Sequence, residues 1–191
     1  MKRFAIFLIV NLLFTVLPAQ VNKFGVPFIR NYSTQITQGS EQNWSITKDK
    51  FGNVYFGNQD RGVIRYDGTK WSSIKIKNNP RVYSLASDER GIVYVGAAFE
   101  FGYLQPAKNG EMEYISLAER INSKPEIKLI YSIAFLENRV LFLGPNFVYI
   151  YNIDDDSLSK ISLKRFNVFD AYKLTKINDK LIITDNVNGI F

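Results

Sequence analysis

The chain has 191 residues, 46% hydrophobic and 22% charged, the balance of a globular protein rather than a disordered tail. It contains no Cys and no His, which excludes disulfides, Cys or His zinc sites, Ser-His-Asp triads and phosphoacceptor histidines. The formal charge of +6 falls to about +4 once Lys2 and Arg3 are set aside, and acidic neighbours surround the remaining cations, so no nucleic-acid partner is expected.

Lys2 and Arg3 precede an apolar run from Phe4 to Leu17, and Pro18-Ala19-Gln20 offers a plausible exit from it. This tripartite order is that of a secretory signal peptide over residues 1–19, with cleavage expected after Ala19. The run is shorter than the roughly 20 residues that span a bilayer, and no Cys follows to carry a lipid. The segment "VPFIRNYS" that follows is strand-like.

Aromatic residues make up 15% of the chain and β-branched residues recur throughout, which favours pleated strands and an all-β fold. Four related segments begin "NWSITKDKFGNVYFGN", "VYSLASDERGIVYVGA", "IYSIAFLENRVLFLGP" and "AYKLTKINDKLIITDN". Their anchors Trp44, Tyr83, Tyr131 and Tyr172 recur at roughly 40 to 48 residues, the period of propeller blades. In the first unit, strands are predicted at Trp44 to Lys48, Val54 to Gly57, Gly62 to Tyr66 and Lys70 to Ile76, with a tight turn at Asp67-Gly68. The second unit repeats the layout at Val82 to Ser87, Ile92 to Gly96, Phe101 to Gln105 and Glu113 to Leu117. The third has Ile130 to Leu136, Val140 to Gly144, Phe147 to Ile153 and Leu158 to Leu163, after an insertion at Ala118 to Lys128. The fourth has Ala171 to Ile177, Lys180 to Thr184 and a third strand starting at Gly189. The expected fold is therefore a partial β-propeller over residues 20–191, with three complete four-stranded blades (about 43–78, 82–117 and 129–163) and an unfinished fourth (171–191). A closed ring packs every blade between two others, so a chain with an unfinished blade reads as the N-terminal part of something longer, prone to associate when alone.

The stretches "NWSITKDKFGNVYFGNQDRGVIRYDGTKW" and "VYSLASDERGIVYVGAAFEFGYL" resemble the N-terminal propeller of two-component regulators of the triple-tyrosine class. The resemblance implies a seven-bladed periplasmic sensor, followed in the full-length parent by a β-sandwich, a membrane helix and a kinase or DNA-binding output. It also implies that membrane attachment lies in those later parts, and it admits a homodimer of the parent. On this reading "VPFIRNYS" would close the ring against the last blade and has no native partner within the chain.

Turns joining first to second and third to fourth strands share one side of a propeller, and their Gly, Asn and Asp content follows from backbone geometry. The opposite side gathers mixed polar and aromatic loops, and there Glu41, Arg61, Arg81, Phe99 and Glu100 are the candidate ligand-binding residues. The two arginines would pair an anionic or sugar-like ligand, the two glutamates accept its hydroxyls, and Phe99 or, as the weaker choice, Trp44 stack on an apolar sugar face. Trp44 reads as blade core. Asp154-Asp155-Asp156 lacks the Gly and distal Glu of a calcium loop and reads as a solvated hairpin turn. "GNQDRG" lacks the Lys-Ser/Thr ending of a phosphate loop, and Glu111 with Glu113 has no identifiable substrate cleft. The expectation is a non-catalytic, exported, periplasmic sensor for a glycan or other small ligand, with no metal or cofactor. An exported glycan lyase or hydrolase and a protein-binding scaffold are the alternatives.

Overall fold

A computed structural model describes residue 25 and residues 29–121, 127–168, 170–178 and 180–190. The expected signal peptide lies outside them, as do Val26 to Phe28 of the strand-like lead segment. Its remaining residues, Ile29 to Ser33, form no strand, and a single helical turn follows at Thr34–Thr37.

Among the described residues fifteen strands make four antiparallel sheets, each an up-and-down meander in chain order. The first sheet comprises β1 (Asn43–Lys48), β2 (Val54–Asn58), β3 (Val63–Tyr66) and β4 (Trp71–Ile74). The second comprises β5 (Val82–Ser87), β6 (Val93–Ala97), β7 (Glu100–Pro106) and β8 (Met112–Ser116). The third comprises β9 (Ser132–Leu136), β10 (Arg139–Leu143), β11 (Phe147–Asn152) and β12 (Ser157–Ser162). The fourth has β13 (Ala171–Ile177), β14 (Lys180–Asp185) and β15 (Gly189–Ile190). Each first strand lies beside the first strand of the next sheet, β1 against β5, β5 against β9 and β9 against β13, so these strands form the inner rim. The chain is thus all-β and folds as four consecutive propeller blades, as its repeat predicts.

Packing explains the composition of the middle strands. Between blades 1 and 2, Tyr55, Val63 and Ile74 meet Val93, Val95 and Leu104. The alternate residues of the second blade, Tyr94 and Phe101, turn the other way and meet Phe142, Tyr149 and Val140 of the third. Leu141, Leu143 and Val148 then meet Ala171 and Leu174 of the fourth. β6 is buried at every position because it has a neighbour on both faces, which is why it reads as an unbroken apolar run rather than an alternation. Each fully buried Leu, Val or Phe here contributes about 1.5 to 3 kcal/mol.

The first hairpins of blades 1 and 2 are closed by one repeated device, Asp-x-x-Gly-x-x-Tyr. Asp49 Oδ1 accepts the backbone N–H groups of Phe51 and Asn53, each at 2.9 Å, while its Oδ2 accepts Tyr55 OH at 3.0 Å. Asp88 does the same for Arg90 and Ile92, at 3.0 and 2.9 Å, and its Oδ2 accepts Tyr94 OH at 3.3 Å. Gly52 and Gly91 take the left-handed backbone the turn demands, with φ of 94° and 90°. Burial pushes the Asp49 carboxyl up, but the hydrogen bonds from Asn53, Tyr55 and Phe51 outweigh it and hold it below the ordinary carboxylate value. In the third blade the turn shortens to Glu137-Asn138 and the device is absent. The acidic turn at residues 154–156 is bound into the protein: Asp156 accepts Arg120 at 2.8 Å and Tyr151 OH at 2.9 Å, and Asp155 accepts the backbone N–H of Ser157.

Candidate functional site

The inner rim carries the feature on which a site can be built. In β1, β5 and β13 the register slips at one residue, between Asn43 and Ser45, Val82 and Ser84, and Ala171 and Lys173. The bulged residues are Trp44, Tyr83 and Tyr172, three of the four repeat anchors, and the fourth, Tyr131, stands just ahead of β9. A bulge breaks the alternation of a strand and re-aims one side chain, so these aromatic rings are freed from the sheet faces. Trp44 is 43% exposed and Tyr172 40%, and Tyr83 and Tyr131 are half-buried. Trp44, expected in the blade core, is therefore not a core residue. The rings make contact from blade to blade, Trp44 with Tyr83 at 5.4 Å between centroids and Tyr83 with Tyr131 at 5.8 Å, edge to face.

Arg81 sits over the blade 1 end of this row. Its guanidinium carbon lies 5.5 Å from the Trp44 ring centre and 5.8 Å from that of Tyr83, and one terminal N–H donates to Tyr83 OH at 3.1 Å. Its Nε is closed off from solvent with no hydrogen-bond partner among the described residues, and no carboxylate there forms an ion pair with it. Trp44 Nε1 donates to Gln59 Oε1 at 3.3 Å, fixing the indole edge. Burial, with Asp170 and Tyr83 nearby, raises the Tyr131 phenol, so at neutral pH it is a hydroxyl donor.

The other candidate residues are dispersed. Glu41 is exposed in the lead-in to β1, whose path is set by the buried Asn58, a residue that sequence reading did not single out. Asn58 accepts Ser40 Oγ at 2.7 Å and donates to the carbonyls of Ser40 and Gln42. Arg61 is exposed in the β2–β3 loop. Phe99 is 70% exposed in the two-residue turn between β6 and β7, with φ +61°, a conformation that is strained for a bulky side chain. Glu100 is the first residue of β7, and its side chain is turned inward and buried. It accepts Ser116 Oγ at 2.8 Å, Phe101 N–H at 2.9 Å and Tyr114 OH at 3.0 Å. Burial beside Glu100 pushes the Tyr114 phenol well up. Among the described residues no hydrogen bond, ion pair or ring contact joins Glu41, Arg61, Phe99 or Glu100 to Arg81.

Two open clefts of about 590 and 570 Å³ lie on the opposite, turn side, walled by Asp49, Phe51 and Asp88 in one case and by Arg90, Phe135 and Asp154 in the other. Their central groups are already committed: Asp88 holds its own turn and accepts from Nε and Nη2 of Arg90. The inner row joins aromatic surface from two blades to a half-buried cation that has no ion-pair partner among the described residues.

No protein-family model matches the chain, and no curated protein matches it. Solved structures do, at the level of the fold. The extracellular domain of BT4673 from B. thetaiotaomicron, described as a one-component system and also as a hybrid two-component system, superposes with a TM-score of 0.60 at 17% identity, over 81% of this chain and 21% of that one. PorZ of Porphyromonas gingivalis, a bacterial surface component of the type-IX secretion system, gives a TM-score of 0.61 at 13% identity, over 85% of this chain and 28% of that one. A streptogramin B lyase gives 0.59 at 16% identity, over 76% and 49%. The chain spans between about a fifth and a half of these proteins, and what it shares with all of them is the propeller.

Proposed function

We propose that this chain is part of the ligand-sensing propeller of an exported signal-transduction protein of the two-component type, acting in the periplasm through binding rather than catalysis. The ligand, a glycan or another small molecule, is received on the side of the inner rim and the β2–β3 loops, where Arg61, Arg81 and Phe99 stand. The observation that carries this reading is the row of inner-rim aromatics capped by Arg81: three of the four repeats spend a ladder irregularity on presenting a ring where a packed blade has no need of one. Further support is the likeness of fold to an extracellular sensor domain. The output to which such a sensor reports belongs to the full-length protein.

The test is a panel of oligosaccharides and small metabolites applied to the purified chain, with thermal shift and calorimetry read beside chromatography of the mixture. A sensor raises its melting temperature with one ligand class and returns that ligand unchanged. Release of a cleaved or eliminated product would replace this reading with the propeller lyase that the streptogramin B lyase structure brings to mind.

A further inference from the structure

We infer that the inner row selects a six-membered ring that bears a carboxylate, with the ring against Tyr83 and Tyr131 and the carboxylate on Arg81. This rests on the reading of the inner rim as the ligand-facing surface, and it adds the chemistry of the ligand.

The argument starts from the guanidinium. Arg81 is half-buried, donates one hydrogen bond to Tyr83 OH, and has no ion-pair partner among the described residues. A guanidinium carries five N–H donors in a planar fork that matches a carboxylate. Withdrawn from water by two aromatic rings and lacking a counter-ion, it is a charge waiting for compensation. No carboxylate nearby pairs with it: Glu100, the nearest acid in sequence on the same side, has its carboxylate turned into the blade and bonded to Ser116, Tyr114 and the Phe101 amide, and Asp170, which lies near Tyr131, accepts from Asn186.

The rest of the row narrows the choice. A cationic ligand is disfavoured, because the π faces of Trp44 and Tyr83 that would attract it already hold a guanidinium. A simple inorganic anion would use Arg81 but leave Tyr83, Tyr131 and Tyr172 without a role. Those rings offer flat apolar surface with hydroxyls at their rims, and Tyr83 OH, by accepting from Arg81, is left with its own proton to donate. Apolar face, hydroxyl donors and a cation in sequence describe a ring with an acid on it. Two sources share that chemistry, a sugar acid with its apolar face down and an aromatic acid.

The experiment uses the full chain with indole nitrogens labelled, so that Trp44 and Trp71 give two resolved signals assigned through Trp44→Phe. D-Glucuronate and 4-hydroxybenzoate are titrated against their uncharged counterparts, D-glucose and phenol. One acid is expected to shift the Trp44 signal saturably and leave Trp71 in place, and to bind about tenfold or more tightly than its counterpart. Arg81→Gln should erase that preference while leaving the weak binding of the counterpart. Arg81→Lys, which keeps the charge but loses the planar fork, should retain only part of it and serves if the Gln variant fails to fold. Which acid binds identifies the source. Equal binding of acid and counterpart, an acid preference that survives Arg81→Gln, or a Trp44 signal that neither acid moves would each overturn the inference. In those cases a ligand from the wider panel that still protects the chain leaves the sensor reading standing, and a panel with no ligand at all removes that reading as well.

Discussion

On the turn side of the propeller Asp49 and Asp88 give their lone pairs to their own hairpins, two backbone N–H groups and one tyrosyl hydroxyl apiece. At the inner rim Arg81 stacks on two rings, makes one hydrogen bond, and keeps the remainder of its donors uncommitted. Both groups are charged and partly or wholly buried. The difference lies in whether the protein completes the valence of the group itself. Where it does, the residue holds the fold. Where it does not, the residue is available to something else. Glu100 is the instructive case, since it directly follows the turn that is level with the rim yet has the satisfied environment of the turn side.

Substitutions that keep to one side of this division should affect stability alone or binding alone. The largest loss of stability is expected for Gly102→Ala, because a Cβ there would collide with the carbonyl oxygen of Ile115 on the paired strand. Urea unfolding should register about 3 kcal/mol or more, since β7 and β8 must part to admit the methyl group. Glu100→Ala comes next. It strands the hydroxyls of Ser116 and Tyr114, and a cost of about 2 to 4 kcal/mol is expected in the same assay, with ligand affinity unchanged. A Glu100→Ala variant that kept its stability and lost its ligand would erase the division drawn above.

Asp49→Asn should cost about 1 to 2 kcal/mol at neutral pH and also alter the acid limb of stability. The folded carboxyl has a lowered pKa, so its contribution is fully present above the unfolded value of about 4 and is lost as pH falls through the folded value. Asp67, held down to about 2 by the amides of Lys70 and Thr69 and by the Thr69 hydroxyl, follows at still lower pH. Melting temperatures taken from pH 6 to pH 2 should therefore fall less steeply in Asp49→Asn than in the parent. The smallest effect belongs to Phe99→Gly, which relieves a left-handed φ and should raise stability by up to about 1 kcal/mol. If the same change weakens ligand binding, Phe99 joins the rim as a contact held in place at some cost to the fold.

The architecture was legible because a propeller blade is short-range in sequence. The repeat and its turn residues locate strands such as Val82 to Ser87 and Ala171 to Ile177, and the tight turn at Asp67-Gly68 follows from the glycine's φ of 95°. The site was less legible for two reasons that share a cause. Trp44 sits in a strand whose alternation points it inward, and only the bulge, which leaves no mark in residue type, turns it out. Glu100 is flanked by two phenylalanines and reads as loop, until the turn closes on Ala98 and Phe99 alone and places it in β7, where pairing with Ala97 directs its carboxylate inward. A single residue of register separates core from surface in both cases. Arg81 was singled out for its charge, but its stacking between rings from two different blades depends on the tertiary fold.

The seryl hydroxyls that follow Tyr83 and Tyr131 have a bearing on how such a protein can change. Ser84 Oγ donates to the carbonyl of Ile130 at 3.0 Å, and Ser132 Oγ to the carbonyl of Leu174 at 3.2 Å, each reaching into the next blade. The acceptor in both is main chain, which every residue possesses. This bond places no demand on the side chains of the neighbouring blade, which are constrained only by the apolar core between blades. Such fastening lets blades be copied, exchanged or respecialised one at a time, and it accords with a shape held in common with proteins that share fewer than one residue in five.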